Sequence, residues 1–134
     1  MAEGLSISLP LRIDPIDGAY GLNKTLTQLA GQNLRMVILT SPGERMMMPE
    51  FGVGVRNYLF EQNTASTAAA LRERIRQQVS TYVPYVSLLD LRVLSQPDVG
   101  AASSGMGLKA INIYIKYSVP SANVVSDLTI PITV

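Results

Sequence analysis

Two carboxylates, Glu44 and Glu50, lie six residues apart in the stretch TSPGERMMMPEFGVGV, residues 40 to 55. A pair of carboxyl groups on turn-rich backbone is what glycoside hydrolysis needs, one as acid and the other as base or nucleophile. One of the pair must be held protonated by apolar surroundings, and Met46, Met47 and Met48 could supply them. Alone the signal is weak, because two acids at this spacing occur by chance in most sequences. Glu44 beside Arg45 also fits a solvated turn or a local ion pair. Gly52 and Gly54 form a GxG that lacks the third glycine and the preceding strand of a dinucleotide site. They read instead as a bend or a close backbone approach. The chain has no cysteine and no histidine, which removes thiolate nucleophiles, disulfides, the usual zinc sites and His-based triads. The residues thus assign no catalytic group, no cofactor and no metal, and the chain reads as a non-enzyme.

The elements that position this stretch belong to a chain of 134 residues, a length that suits one domain over 1–134. Hydrophobic residues make up 47% and charged residues only 16%. An average globular chain carries about 25% charged residues, so partners are expected to cover part of this low-charge surface. Apolar runs such as Met36 to Leu39 fall far short of the roughly 20 residues of a membrane span. The N-terminus has neither the basic nor the apolar region of a secretory signal. With a net charge of +1 and no basic tail, nucleic acid is not expected as a partner. Eight of the 11 basic residues are arginine, the cation enriched at protein interfaces; a lineage bias in arginine use explains the same count.

Residues 5–13 alternate, with Leu5, Ile7, Leu9, Leu11 and Ile13 on one side and Ser6, Ser8 and Arg12 on the other. That spacing predicts a half-buried strand, and Pro10 makes it an edge. DPIDGAYG is turn chemistry. From Asn23, read as an N-cap, the spacing of Leu26, Leu29, Ala30, Val37 and Ile38 predicts a helix. Gly31 weakens it by about 1 kcal/mol, and Ser41-Pro42-Gly43-Glu44 stops it as a type II turn. A second helix follows an Asn63 or Thr64 cap, with Ala68, Ile75, Val79 and Tyr82 as its apolar stripe and Arg72 and Arg76 on a polar flank; Pro84 ends it. Period two then returns in three strands. Leu89, Leu91 and Val93 oppose Asp90 and Arg92 in the first; Lys109, Ile111, Ile113, Ile115 and Tyr117 share a face of the second. Val124, Leu128, Ile130, Ile132 and Val134 align in the third, and residues 95–107 and 118–123 turn between strands. The expected fold is α+β: two main helices packed on a small, mainly antiparallel sheet with a C-terminal three-stranded meander.

The three methionines follow a turn, and an extended backbone here would send Met46 and Met48 one way and Met47 the other. One face in the core and the other against a neighbour is the expectation, with Leu59 and Phe60 returning to the core.

Thr40, Pro42, Gly43, Glu44, Arg45 and Met46, then Pro49, Glu50, Phe51 and Gly52, then Leu59, Phe60 and Glu61 together form a pattern. It resembles that of the baseplate wedge, or sheath-initiator, family of contractile phage tails, which has counterparts in R-type pyocins and in the type VI secretion baseplate. The resemblance continues through the 64–81 helix and the Ile115, Tyr117 and Val119 element, covering residues 5 to 134. One departure stands at the end of the second helix. Many members carry Glu-Pro-Arg there, a motif linked to docking on neighbouring wedge proteins, whereas this chain has Val83-Pro84-Tyr85. An apolar contact through Val83 and Tyr85 is the expected substitute.

The resemblance implies a fold like the inner domain of tail sheath proteins and a place in the virion, at the tail baseplate, assembled in the host bacterial cytoplasm. Implied partners are the tail sheath protein and the wedge core-bundle proteins, with tail tube or hub proteins as further neighbours. Nucleic acid and membrane are not among them. Wedge contacts are expected at Glu44, Arg45, Met47, Glu50 and Arg56 and at the Val83, Pro84 and Tyr85 corner. A sheath arm is expected to add to a strand edge, either the Pro10 segment or the last strand with Leu128, Ile130 and Ile132. A free apolar edge is an aggregation liability unless a partner covers it. The competing classes are a glycan hydrolase using Glu44 and Glu50, and a regulatory adaptor of the same fold. A lysozyme-like label attached to such proteins gains no independent support from these residues.

Overall fold

The computed structural model describes residues 3–62, 64–96 and 110–133. In chain order the elements are β1 (Ser6–Ile7), β2 (Leu22–Asn23), α1 (Leu26–Leu39), α2 (Val55–Tyr58), α3 (Ala65–Tyr82), β3 (Ser87–Gln96), β4 (Ala110–Val119) and β5 (Val124–Thr133). The last three strands form an antiparallel meander in spatial order β3-β4-β5. The helices pack on one face of it, α1 over β4 and β5 and α3 over β3. The architecture is therefore α+β, as the two periodicities require.

Between the layers Leu34 and Ile38 of α1, Leu71 and Ile75 of α3, and Ile113 and Ile115 of β4 are fully buried. Burying each such side chain stabilises the fold by about 1.5–3 kcal/mol. Alternation in β4 is complete, with Ile111, Ile113, Ile115, Tyr117 and Val119 all inward. In β3 the alternation is interrupted. The pairing shifts between Leu88 and Asp90, and a bulge of this kind moves every later residue to the opposite face. Leu88 packs on the core, Leu89 is exposed, and Leu91 and Val93 are again buried. The face expected to start at Leu89 thus starts at Leu88. In β5, Ile130 and Ile132 are buried and Leu128 partly so, while Val124 is exposed.

The cap of α1 is Thr25, not Asn23. Thr25 and Gln28 form a capping box, the S/T-x-x-E/Q signature two residues further along. Asn23 is buried instead, and its amide donates to Ser6 Oγ at 3.0 Å and to Gln32 Oε1 at 2.8 Å. Leu26, in the first turn, is exposed. Gly31 has a positive role: the Tyr117 hydroxyl lies 3.0 Å from where a Cβ would stand and donates to Thr27 O at 3.2 Å. Burial pushes the Tyr117 phenol above its ordinary pKa, keeping it a neutral donor. Helix α3 is capped by Thr64; Asn63, the other candidate, lies outside the described residues, as do Lys109, Val134 and residues 97–107.

The N-terminal alternation does not make a half-buried strand. Only Ser6 and Ile7 pair, with Asn23 and Leu22. Leu5, Ile7, Leu9, Leu11 and Ile13 are all exposed, Ile13 at 83%. Polar bonds hold this segment: Ser8 N–H to Gly21 O, Leu9 N–H to Gln32 Oε1, and Gln32 Nε2–H to Ile7 O. Among the described residues no layer buries its apolar side, so periodicity here does not mean burial.

Ile113→Ala is expected to cost about 2–5 kcal/mol, read as a lowered urea midpoint with an unchanged slope. Ile13→Ala should stay within about 0.5 kcal/mol of the parent. A comparable loss at both positions would contradict the exposed N-terminal segment.

Candidate docking site

The stretch after α1 closes on itself. At the helix end, Thr40 N–H and its hydroxyl both donate to Met36 O, the hydroxyl at 2.6 Å. Glu44 N–H returns to Ser41 O at 3.1 Å with Gly43 at a φ of 91°, which is the expected turn. Glu44 Oε2 accepts from Ser41 N–H at 3.1 Å. Gly43 N–H then reaches Pro49 O at 2.9 Å, closing a loop whose tip is Arg45 to Met48. Within it Met48 N–H donates to Arg45 O and Phe51 N–H to Met48 O. The methionine segment is therefore turned, not extended, and none of the three has a face in the core. Met46 and Met47 are 92% and 94% exposed, and Met48 is partly so. Short i to i+3 bonds leave a side chain at a loop tip nothing to pack on.

The base of the loop is fixed by close contacts. The Arg45 guanidinium stacks 4.0 Å from the centroid of the Phe51 ring, a cation–π contact. Phe51 is buried and meets Tyr82 edge-on at 4.8 Å. Gly52 has a φ of 106°, and a Cβ there would lie 2.2 Å from Thr40 O; a side chain is excluded on both counts. Gly54 N–H donates to Thr40 O at 2.9 Å and Val53 N–H to Val37 O. The buried Gln78 of α3 accepts from Gly52 N–H at 2.9 Å and donates to Glu50 O at 3.2 Å. Arg74 adds a longer bond to Gly52 O. Sequence reading missed Gln78, although a polar residue at helical spacing from Leu71 and Ile75 was the available signal. Beyond Gly54, Val55 and Leu59 are buried, while Phe60, expected in the core, is 79% exposed.

Glu44 and Glu50 are both exposed. The methionines, themselves exposed, build no apolar pocket round either of them. Among the described residues no acidic cluster could hold a metal ion.

The other expected contact residues are dispersed. Val83 is buried in the core and cannot supply an apolar contact to a partner. Pro84 is exposed, and Tyr85 is half-buried, its hydroxyl accepting from Asn33 Nδ2–H. Ile130 and Ile132 also face inward, so β5 offers an edge of backbone instead of these side chains. Among the described residues β5 has β4 on one side only, and Pro131 within it has no N–H to give, as suits an edge strand.

Two adjoining clefts run along the α1 side of β5. One, of about 830 Å³, is bordered by Pro10, Gln32, Glu44, Asp127 and Leu128. The second, of about 520 Å³, is bordered by Ile130, Pro131, Ile132 and Thr133. Arg35, Leu39 and Arg56 line both. The structure thus brings Glu44, Arg56 and Leu128 to one cleft, and sets Met47 on the loop tip.

Gly52→Ala is expected to destabilise by at least about 1–3 kcal/mol, from strained backbone and the clash with Thr40 O. Gln78→Leu should cost about 1–3 kcal/mol by orphaning Gly52 N–H and Glu50 O. Thermal or urea unfolding measures both, and a neutral Gln78→Leu would contradict the clasp.

A chain in the cryo-EM structure of the anti-feeding prophage baseplate is similar, with 28% identity over 84% of this chain and 82% of that one, at a TM-score of 0.64. Two more distant structures share the fold. A candidate tail lysozyme from Geobacter sulfurreducens is 24% identical, covers 84% of this chain and 94% of its own, and has a TM-score of 0.63. A chain of the postcontracted pyocin R2 baseplate is 16% identical, covers 91% of this chain and 96% of its own, and has a TM-score of 0.50. No match was found among curated proteins. The family model described as "Baseplate wedge protein gp25" matches residues 25–124, which take in α1, the closed loop, α3 and the meander as far as the start of β5. On that span, the chain belongs to the baseplate wedge protein gp25 family.

Proposed function

We propose that this chain, acting as one domain over 1–134, docks on the core bundle of a contractile-tail wedge and starts sheath assembly by pairing a strand with the first sheath ring. Family membership makes it a structural component of a tail baseplate. The observation that carries the finer reading is the free edge of β5 beside an open cleft. Backbone N–H and C=O groups along such an edge are unpaired and accept an added strand, whose alternating side chains then set the register. The edge at the Pro10 segment is a poorer candidate, because only two residues there are in strand conformation.

Docking on the wedge is assigned to the loop tip. Met46, Met47 and Phe60 are apolar and exposed, and methionine adapts to partner surfaces at little strain. The Val83 and Tyr85 corner contributes less, since Val83 is in the core and Tyr85 is tied to Asn33. The proposal is one of assembly in the virion tail, completed in the host cytoplasm, with no catalytic step. The exposed Glu44 and Glu50 support that reading over hydrolysis. Among the described residues no helix is long and apolar enough to cross a membrane.

Hydrogen exchange of the purified chain, with and without sheath protein, tests the edge. Amides of β5 that do not bond to β4 should exchange more slowly in the mixture; equal rates would remove strand pairing at β5. Met47→Asp, in a complementation assay, should leave the unfolding midpoint unchanged and stop baseplate assembly. Normal infectious particles from this variant would remove the loop tip from the wedge contact.

A further inference from the structure

The edge of β5 is blind to sequence, since every peptide offers the same N–H and C=O groups. A one-residue slip of an added strand reverses which of its side chains face the protein. Something beside the edge must therefore choose the segment and fix its register. The cleft residues are the candidates.

Arg35 projects from α1 and Arg56 from α2, and both line the two clefts. Both are exposed. Among the described residues neither guanidinium has an ion pair, the two salt bridges being Lys24 to Asp17 and Arg92 to Asp90. The acids beside them are unevenly placed. Glu44 and Asp127 line the larger cleft, and Glu44 is already turned to Ser41 N–H. The smaller cleft, along Ile130 to Thr133, has both arginines and no acid, over a lining that includes Leu39, Ile130, Pro131 and Ile132. Two guanidinium forks without an ion pair among the described residues, beside the backbone edge of β5, suit a carboxylate carried on an added segment.

We propose that the Arg35 and Arg56 end of this cleft binds an acidic side chain of the sheath segment that adds to β5, and that this contact selects the segment and sets its register. The inference rests on strand pairing at β5. With about 3.3 Å per residue, the carboxylate sits a fixed count of residues along the added strand.

Binding of the full chain to purified sheath protein of the same particle, at two salt concentrations, is the test, with β5 amide exchange recorded in parallel. Arg35→Glu with Arg56→Glu should keep the urea midpoint, weaken binding about tenfold or more, and flatten its salt dependence. Changing the responsible Asp or Glu of the sheath segment to Arg should restore binding to the reversed variant. Should the reversal lower the midpoint, Arg35→Gln with Arg56→Gln takes its place under the same criterion. Parental affinity in the variant, with β5 amides still protected by sheath, overturns the carboxylate contact and leaves strand pairing standing. Absence of β5 protection in the parent protein itself overturns both.

Discussion

Residues 50–54 run between the C-terminal end of α1 and the middle of α3, and there is no space for a side chain where they pass Thr40. The Thr40 carbonyl occupies the place a Cβ of Gly52 would take, and the same carbonyl accepts from Gly54 N–H. From the opposite side Gln78 bonds the backbone on both flanks of Phe51. A buried N–H or C=O left without a partner costs as much as a lost hydrogen bond or more, so this crossing is possible only because one amide satisfies both groups. With the crossing fixed, Phe51 is set against Tyr82, Arg45 stacks on Phe51, and the methionine loop is closed above them. The loop can then be almost wholly exposed without being free to collapse.

The distribution of apolar groups divides the molecule in two. The sheet face under α1 and α3 is closed and well ordered, with no buried side-chain polar atom unpaired among the described residues. Outside it, Leu11, Ile13, Ile16, Met46, Met47 and Phe60 are all strongly exposed. Single exposed apolar residues are ordinary; a chain with only 16% charged residues has less polar surface to separate them. Assembly into a baseplate gives such surface a place to be buried, which agrees with the family to which the chain belongs.

Periodicity was legible where one neighbouring layer decides burial. The β4 alternation, the Thr64 cap, the Pro42-Gly43 turn and the three-strand meander could all be read from residue types, because each depends on contacts within a few residues or on one face. Three features were not legible. The alternation at residues 5–13 has the pattern of a strand, but whether a layer lies under it is a tertiary fact. Leu88 and Leu89 are equally apolar, so the bulge between Leu88 and Asp90 leaves no mark in composition. The methionines would suit a core as well as a loop tip, and it is the Gly43 to Pro49 bond that decides. Family resemblance drew attention to the 40–60 block, yet it said nothing of Gln78, which lies outside the quoted pattern and bonds the block's backbone.

The same crossing also reaches the cleft beside β5. Gly54 is the residue before α2, in the left-handed conformation, and a Cβ there would lie 2.7 Å from Pro42 Cδ. Two residues later comes Arg56. Its position relative to Arg35 is therefore set by the contact of the glycines with Thr40 and Pro42, not by a flexible linker. Two groups meant to hold one carboxylate must each stand on a fixed element, because a loose pair loses on binding the side-chain entropy that a rigid pair has already given up. Arg35, in the next-to-last turn of α1, and Arg56, on a helix anchored at the end of α1, meet that requirement. The loop tip proposed to meet the wedge and the cleft proposed to meet the sheath thus depend on one short piece of backbone. A change at Gly52 or Gly54 should disturb both surfaces together, whereas changes at Met47 or Arg56 act on one alone.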